Sequence, residues 1–151
     1  MKYDDAGWHD GADGFPENSP AEYGGTHIAL FMKWCFIKGW AGEFYRNEHA
    51  AALKNVISGS SSATEFFFEH CDGKLTDDDF NEEGNKFAAL YYGDDGLYLN
   101  DYSDLFFDLM YEKPESEHEY SQLSRLIDKR YTSGILTSEQ LKQSKPWWKF
   151  W

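Results

Sequence analysis

The sequence predicts an all-α protein: a single compact domain of about six helices, with an irregular acidic arm at 1–25, a helical body at 26–144 and an aromatic tail at 145–151. Three observations support this. Apolar residues recur at three- and four-residue spacing through most of the chain. Serine, threonine or asparagine residues, some followed three positions later by an acid, mark the helix starts. No segment alternates apolar and polar residues for long enough to read as a strand. An aromatic content of 19% supplies a core, whereas acidic chains poor in aromatics stay disordered.

Residues 1–25 hold five glycines, two prolines and six acids without a hydrophobic period, which predicts an arm anchored by Tyr3, Trp8, Phe15 and Tyr23. Thr26 is a candidate N-cap for a helix in which Ile28, Phe31, Met32, Trp34, Cys35 and Phe36 cover most of the circumference, so this helix is expected at the centre, closed by Gly39. Asn47 caps a second helix with Ala50, Leu53 and Ile57 on one face, ending near Ser58 and Gly59. Ser62 and Glu65 have capping-box spacing ahead of Phe66, Phe67 and Phe68, a third helix that stops near Gly73.

Thr76 and Asp79 open a fourth helix. Its Phe80, Gly84, Phe87, Ala88 and Tyr91 share a core face, while Asp78, Asp79, Glu82 and Glu83 form a carboxylate ridge elsewhere. The early acids sit at the positive end of the helix dipole, worth about 0.3–1 kcal/mol each. Residues 93–96 (Gly-Asp-Asp-Gly) make a turn, Leu97, Tyr98 and Leu99 a short extended piece, and Asp101 caps a helix striped by Tyr102, Leu105, Phe106, Leu109 and Met110. After a break at Lys113 and Pro114, Ser116 and Glu119 cap a last long helix carrying Tyr120, Leu123, Ile127 and Tyr131, stopped by Gly134, with one further turn at 138–143. The tail packs four aromatics into its last five residues, expected to fold back on the bundle or to meet a partner.

Charge is concentrated. The chain carries 27 acids against 14 lysines and arginines; residues 65–119 alone are net −14 and residues 1–25 net −5, while 26–64 and 120–151 are weakly positive. Such a one-signed field repels nucleic acid and anionic membrane and accelerates encounter with a basic protein. No apolar run reaches the ~18 residues that span a bilayer, and the opening MKYDDAGWHDGADG lacks the apolar core of a signal peptide. A cytoplasmic protein is expected, with Cys35 and Cys71 as buried free thiols.

No catalytic motif survives inspection. Asp77, Asp79 and Asn81 mimic the start of a calcium loop, but position six is Glu82 and position twelve Ala88. Only Glu115 and His118 have the spacing of a di-iron ligand pair, where two such pairs are needed. There is no zincin, Cys-x-x-Cys, phosphate-loop or nucleophile-elbow signature. His9, Asp10 and Asp13 together with distant residues are the one metal combination left, and His27 beside Thr26 is expected to be a hydrogen-bonded structural residue. The expectation is therefore a non-enzyme without metal or cofactor.

Several segments together carry a resemblance. The opening Met1–His9 string, the Gly-x-Thr-His-Ile-x-x-Phe-x-x-Trp segment from Gly24 to Trp34, the block from Cys71 to Asn85 and the Tyr-Leu-x-Asp-Tyr stretch from Tyr98 to Tyr102 resemble an uncharacterised bacterial family whose members open on MKYDDxxWH. The resemblance covers most of residues 1–105. Members are encountered near polymorphic, contact-delivered toxins, such as those of type VI secretion, so it implies an immunity protein, and it carries over no catalytic residue.

The electrostatics lead to the same expectation by a separate route: a toxin with a basic active-site cleft, such as a nuclease or ADP-ribosyltransferase, is met fastest by an acidic inhibitor with aromatic anchors. The expected contact residues are Asp77, Asp78, Asp79, Glu82 and Glu83, then Asp94, Asp95, Tyr98, Asp101, Tyr102 and Asp104, assisted by Asp4 and Asp5. An acidic adaptor for another basic protein, or an enzyme that reverses the toxin's covalent mark, are the alternatives.

Overall fold

The computed structural model describes residues 1–10, 15–17, 19–93, 95–106, 111 and 115–133. Its axis is helix α2, Thr26–Ile37, in which ten of twelve residues are buried. A helix apolar on every side has to be surrounded, and the rest of the chain does this. Helices α4 (Ala50–Ser58) and α5 (Ala63–His70) pack on it directly. The rings of α6 (Glu82–Tyr91), of Tyr92 just after it and of α7 (Tyr98–Leu105) close around Phe31, whose ring lies 5.0–6.2 Å from those of Phe87, Tyr91, Tyr92 and Tyr98. Helix α8 (Glu117–Ser133) buries Leu123 and Ile127, and its Asp128 accepts a 3.0 Å hydrogen bond from the Trp34 indole. The expected all-α single domain is what forms, with eight α-helices rather than six among the described residues.

The first departure is at the N-terminus. The arm expected without regular structure opens on a strand: β1 (Lys2–Asp5) runs antiparallel to β2 (Lys74–Thr76), with Asp4 opposite Leu75 and an irregularity between Lys2 and Asp4. Each strand is too short to display an alternation that a sequence pattern can reveal. The chain then turns into the short helix α1 (Ala6–Asp10), held by a 2.8 Å bond from the Ala6 amide to the Gly73 carbonyl, and later makes a 3-10 turn at Ala21–Gly24. Of the four expected anchors, Tyr3 packs on the core and bonds Asn85, Phe15 meets Tyr111 and Tyr23 is half-buried, but Trp8 stays exposed.

The helix expected from Asn47 is two. Helix α3 (Glu43–Glu48) ends at His49, which leaves helical geometry, and α4 restarts at Ala50. The new phase buries Leu53 and Val56 and leaves Ile57 38% exposed. Similarly, the Thr76–Asp79 capping box forms but closes one 3-10 turn, Asp77–Asp79; Phe80 is extended and bridges Ala41, and Asn81 caps α6 by accepting from the Gly84 amide at 2.9 Å. Close approach decides this break. Gly42 lies against the Asp78 carbonyl, where a β-carbon would sit 2.3 Å from oxygen, and its amide bonds the Asp79 carbonyl.

Two further caps differ by detail. Gly25 rather than Thr26 is the N-cap of α2, and α7 begins at Tyr98, so Tyr98 and Leu99 are helical and Asp101 is inside the first turn instead of capping it. Ser62 does cap α5, and Ser116 accepts from the Glu119 amide at 3.1 Å. Leu109, Met110, Lys113, Pro114, Gly134, the turn at 138–143 and the aromatic tail lie outside the described residues. Cys35 and Cys71 are buried free thiols, as expected. Among the described residues no helix is long and apolar enough to cross a membrane.

Candidate functional site

The most unusual chemistry lies where β1, α1 and the first turn of α2 meet. Pairing of β1 with β2 buries Asp4; the turn into α1 brings His9 back over it; and His27, in the first turn of α2, completes the group from below. His9 Nε2 lies 2.8 Å from Asp4 Oδ1 and 2.9 Å from Oδ2, His27 Nε2 lies 3.2 Å from His9 Nε2, and His27 Nε2 is 3.6 Å from Asp4 Oδ2. Two tyrosines extend the cluster. The Tyr92 hydroxyl donates to Asp4 Oδ2, and the Tyr111 hydroxyl meets His9 Nδ1 at 2.5 Å.

Burial alone pushes the Asp4 carboxyl up, but the nearby His27 imidazole and the hydrogen bonds from His9 and Tyr92 outweigh it and hold Asp4 well below the ordinary carboxylate range. His27, fully buried, is pushed down to about 4 by desolvation and by His9, against the pull of Asp4. At neutral pH the cluster therefore holds one carboxylate and a neutral His27 imidazole. Its Nδ1 is buried without a hydrogen-bond partner.

Most other buried polar groups are fully explained by structure. The Tyr45 hydroxyl donates to Asp79, whose second oxygen accepts from the Thr76 amide at 2.7 Å; burial raises Asp79 and the neighbouring Cys71 thiol, so Cys71 is no activated nucleophile. Glu115 caps α5 from across the fold, accepting from the Ala63 and Thr64 amides and the Ser62 and Thr64 hydroxyls at 2.7–2.9 Å.

The structure divides the expected contact residues. Asp77, Asp78, Glu82, Glu83, Asp95 and Asp104 reach the surface, although Asp77 is only partly exposed. Five others do not, which corrects the expectation. Asp4 is in the histidine cluster; Asp79 is a buried cap; Tyr98 and Tyr102 are core rings, with the Tyr98 hydroxyl donating to the His27 carbonyl at 2.5 Å; and Asp101 pairs with Arg130 at 2.9 Å while accepting from Tyr91 at 2.6 Å. Tyrosines interleaved with acids are here the inner face of two amphipathic helices, not an outer rim. Asp5 is half-buried and bonded to Lys2 at 2.8 Å, and Asp94 lies outside the described residues.

One aromatic that sequence reasoning passed over does stand at the acidic face. Phe44 is 55% exposed beside a 490 Å³ depression lined by Glu43, Phe44, Tyr45, Asp77, Asp78 and Phe80. Histidine 9 does take part in a cluster, but with Asp4 and His27 instead of Asp10; Asp10 lines a separate cavity beside Phe68, and Asp13 is outside the described residues. The available signal was a histidine inside an otherwise apolar helix, but nothing in the sequence brings residues 4, 9 and 27 together.

The segments that meet at the cluster lie within the region that identifies the chain. It belongs to the family described as domain of unknown function DUF7832, which matches residues 2–119. No curated protein and no solved structure matched the chain.

Proposed function

We propose that this member of the DUF7832 family is an immunity protein that neutralises a cognate bacterial toxin in the cytoplasm by direct one-to-one binding, without catalysis. The observation that carries the reading is the acidic face around Phe44. Asp78, Glu82 and Glu83 are exposed, Asp77 is partly so, and Glu43 joins Asp77 and Asp78 around Phe44 from α3; the N-terminal ammonium, 3.1 Å from Asp77, and Lys86, 3.5 Å from Glu83, are cations set among these acids. Phe44 supplies an aromatic anchor inside a polar rim, the arrangement in which interface energy concentrates. The occupant this face suits is the basic active-site cleft of a toxin domain, and Asp95 and Asp104 extend the same charge along the chain.

The test is a titration against the toxin domain encoded beside the gene, following toxin activity and association rate at low and high salt. Inhibition should saturate near one-to-one, and association should slow as salt screens the charges. The quadruple amide D77N/D78N/E82Q/E83Q should associate at least about tenfold more slowly at low salt, the lower end of the acceleration that electrostatic steering provides. An unchanged rate removes the acidic face from the interface. Binding without protection would instead describe an adaptor for another basic protein. A second reading, an enzyme that reverses the toxin's covalent mark, is favoured by the buried Asp4–His9–His27 cluster, and protection at substoichiometric levels would select it.

A further inference from the structure

We propose that Asp4, His9 and His27 bind a divalent transition-metal ion of the zinc class, through one carboxylate oxygen and the two Nε2 atoms. The inference is independent of what the acidic face binds.

The donor atoms already converge. The two Nε2 atoms and Asp4 Oδ2 lie 2.9–3.6 Å from one another. Ligands at the 2.0–2.2 Å of zinc in a tetrahedral site stand about 3.3 Å apart, which falls within that span. Taking 2.9, 3.2 and 3.6 Å as the three edges, an ion equidistant from the donors at about 2.05 Å sits about 0.8 Å out of their plane. The triangle therefore needs little rearrangement to accept the ion, and a fourth ligand would approach the ion from the side facing away from the three donors.

Hydrogen bonding alone accounts poorly for the same atoms. A neutral imidazole has one N–H. His9 is satisfied by donating from Nε2 to Asp4 while its Nδ1 meets Tyr111. His27 is not: its Nε2 is left with Asp4 at 3.6 Å, beyond hydrogen-bond range, and with a His9 nitrogen whose proton is directed at the carboxylate. An ion replaces the crowded protons between the two Nε2 atoms and gives both lone pairs a ligand's role. The outer groups are those a metal site uses. Tyr92 fixes the carboxylate, and Tyr111, accepting from Nδ1–H, would fix the His9 tautomer that presents Nε2.

The experiment uses the full chain, untagged and freed of metal by chelator, titrated with zinc by calorimetry and with cobalt(II) by visible absorption. One equivalent should bind, with cobalt showing the intensified bands of a low-coordinate nitrogen and oxygen site, and Tm should rise by about 5–10 °C at a free zinc concentration 100 times Kd. H9Q, whose side chain lies at the edge of the cluster, should keep the circular-dichroism spectrum of the folded protein yet lose at least about 100-fold in affinity; Y92F should lose about 10–100-fold. The control is H70N, because His70 and His49 stack at 4.6 Å elsewhere on the surface; it should bind as the unaltered chain does. Absence of zinc and cobalt binding, or an affinity that H9Q leaves unchanged while H70N abolishes it, would overturn the assignment.

Discussion

Glu115 offers the sharpest test of how this fold is held together, because one side chain caps a helix more than fifty residues away in sequence. Its Oε1 accepts from the Ser62 hydroxyl at 2.9 Å and from the Thr64 amide and hydroxyl, both at 2.7 Å; Oε2 accepts from the Ala63 amide at 2.9 Å. Two of the four amides that open α5 are thereby satisfied by a negative charge at the positive end of the helix dipole. In E115A these donors lose their acceptor, and Ala63 and Thr64 are buried. With hydrogen bonds to a charged group worth about 1.5–3 kcal/mol each, and water recovering part of the loss at a half-buried site, the expected cost is about 3 kcal/mol, or about 6–12 °C in Tm. E115Q should cost less, about 1–2 kcal/mol, because an amide oxygen can keep the three donors that share Oε1 and only the Ala63 amide is left facing an NH₂.

The pH dependence follows with a definite sign. Burial pushes Glu115 up, but bonds from Thr64, Ala63 and Ser62 outweigh it, so the folded protein holds this proton less tightly than the ordinary value of 4.5. The carboxylate's advantage is therefore complete above that pH and disappears as the pH falls through the lower folded value. Urea unfolding of the three proteins from pH 7 to pH 3 measures it. The difference between E115Q and the unaltered chain should shrink as the pH falls below 4.5 and the carboxylate takes up its proton. Equal costs for E115Q and E115A at pH 7, or a pH-independent difference, would refute the charged-cap argument.

Three other outcomes are expected. In chelator-treated protein, His27 binds its proton only below about 4 when folded and near 6.5 when unfolded, so the unfolded chain binds more protons between those values and stability should be lost as the pH is lowered from 6.5 to 4, by up to about 1.4 kcal/mol per unit, and H27N should flatten the slope; Asp4, also lowered, acts in a separate window below its ordinary 3.8. D101A strips Arg130 and the Tyr91 hydroxyl of their shared acceptor and should cost about 2–4 kcal/mol by denaturant unfolding, while D101A/R130M should recover part of it; strictly additive losses would contradict a coupled pair. G42A should cost more than G59A, about 2–4 against about 1–2 kcal/mol, since Gly42 has an ordinary φ of −64° but a carbonyl 2.3 Å from the added β-carbon, whereas Gly59 has φ of 84° and open space around it; thermal melts rank them directly.

Much of the helical architecture was legible because helices announce themselves locally. The apolar circumference of residues 28–36, the Ser62 and Ser116 caps and the Thr76–Asp79 box depend on spacing within one turn, and each forms. What failed depended on distant chain. Nothing near Phe80 in sequence reveals that Ala41 will pair with it and split a helix in two, or that Lys74–Thr76 will find β1.

The same division runs through the candidate sites. By itself the sequence determined the sign and concentration of charge and that aromatic rings would fill the core, since composition and helical period are local properties. Tertiary structure alone decided which acids face water and which are consumed. Asp4, Asp79 and Asp101 look like their neighbours Asp5, Asp78 and Asp104, yet they are buried, because their registers on β1, the 3-10 turn and α7 point them at His9, Tyr45 and Arg130. A carboxylate's role is set by the charges and donors brought within a few ångströms of it, and for Asp4 one of those, His27, lies on a different element, 23 residues along the chain.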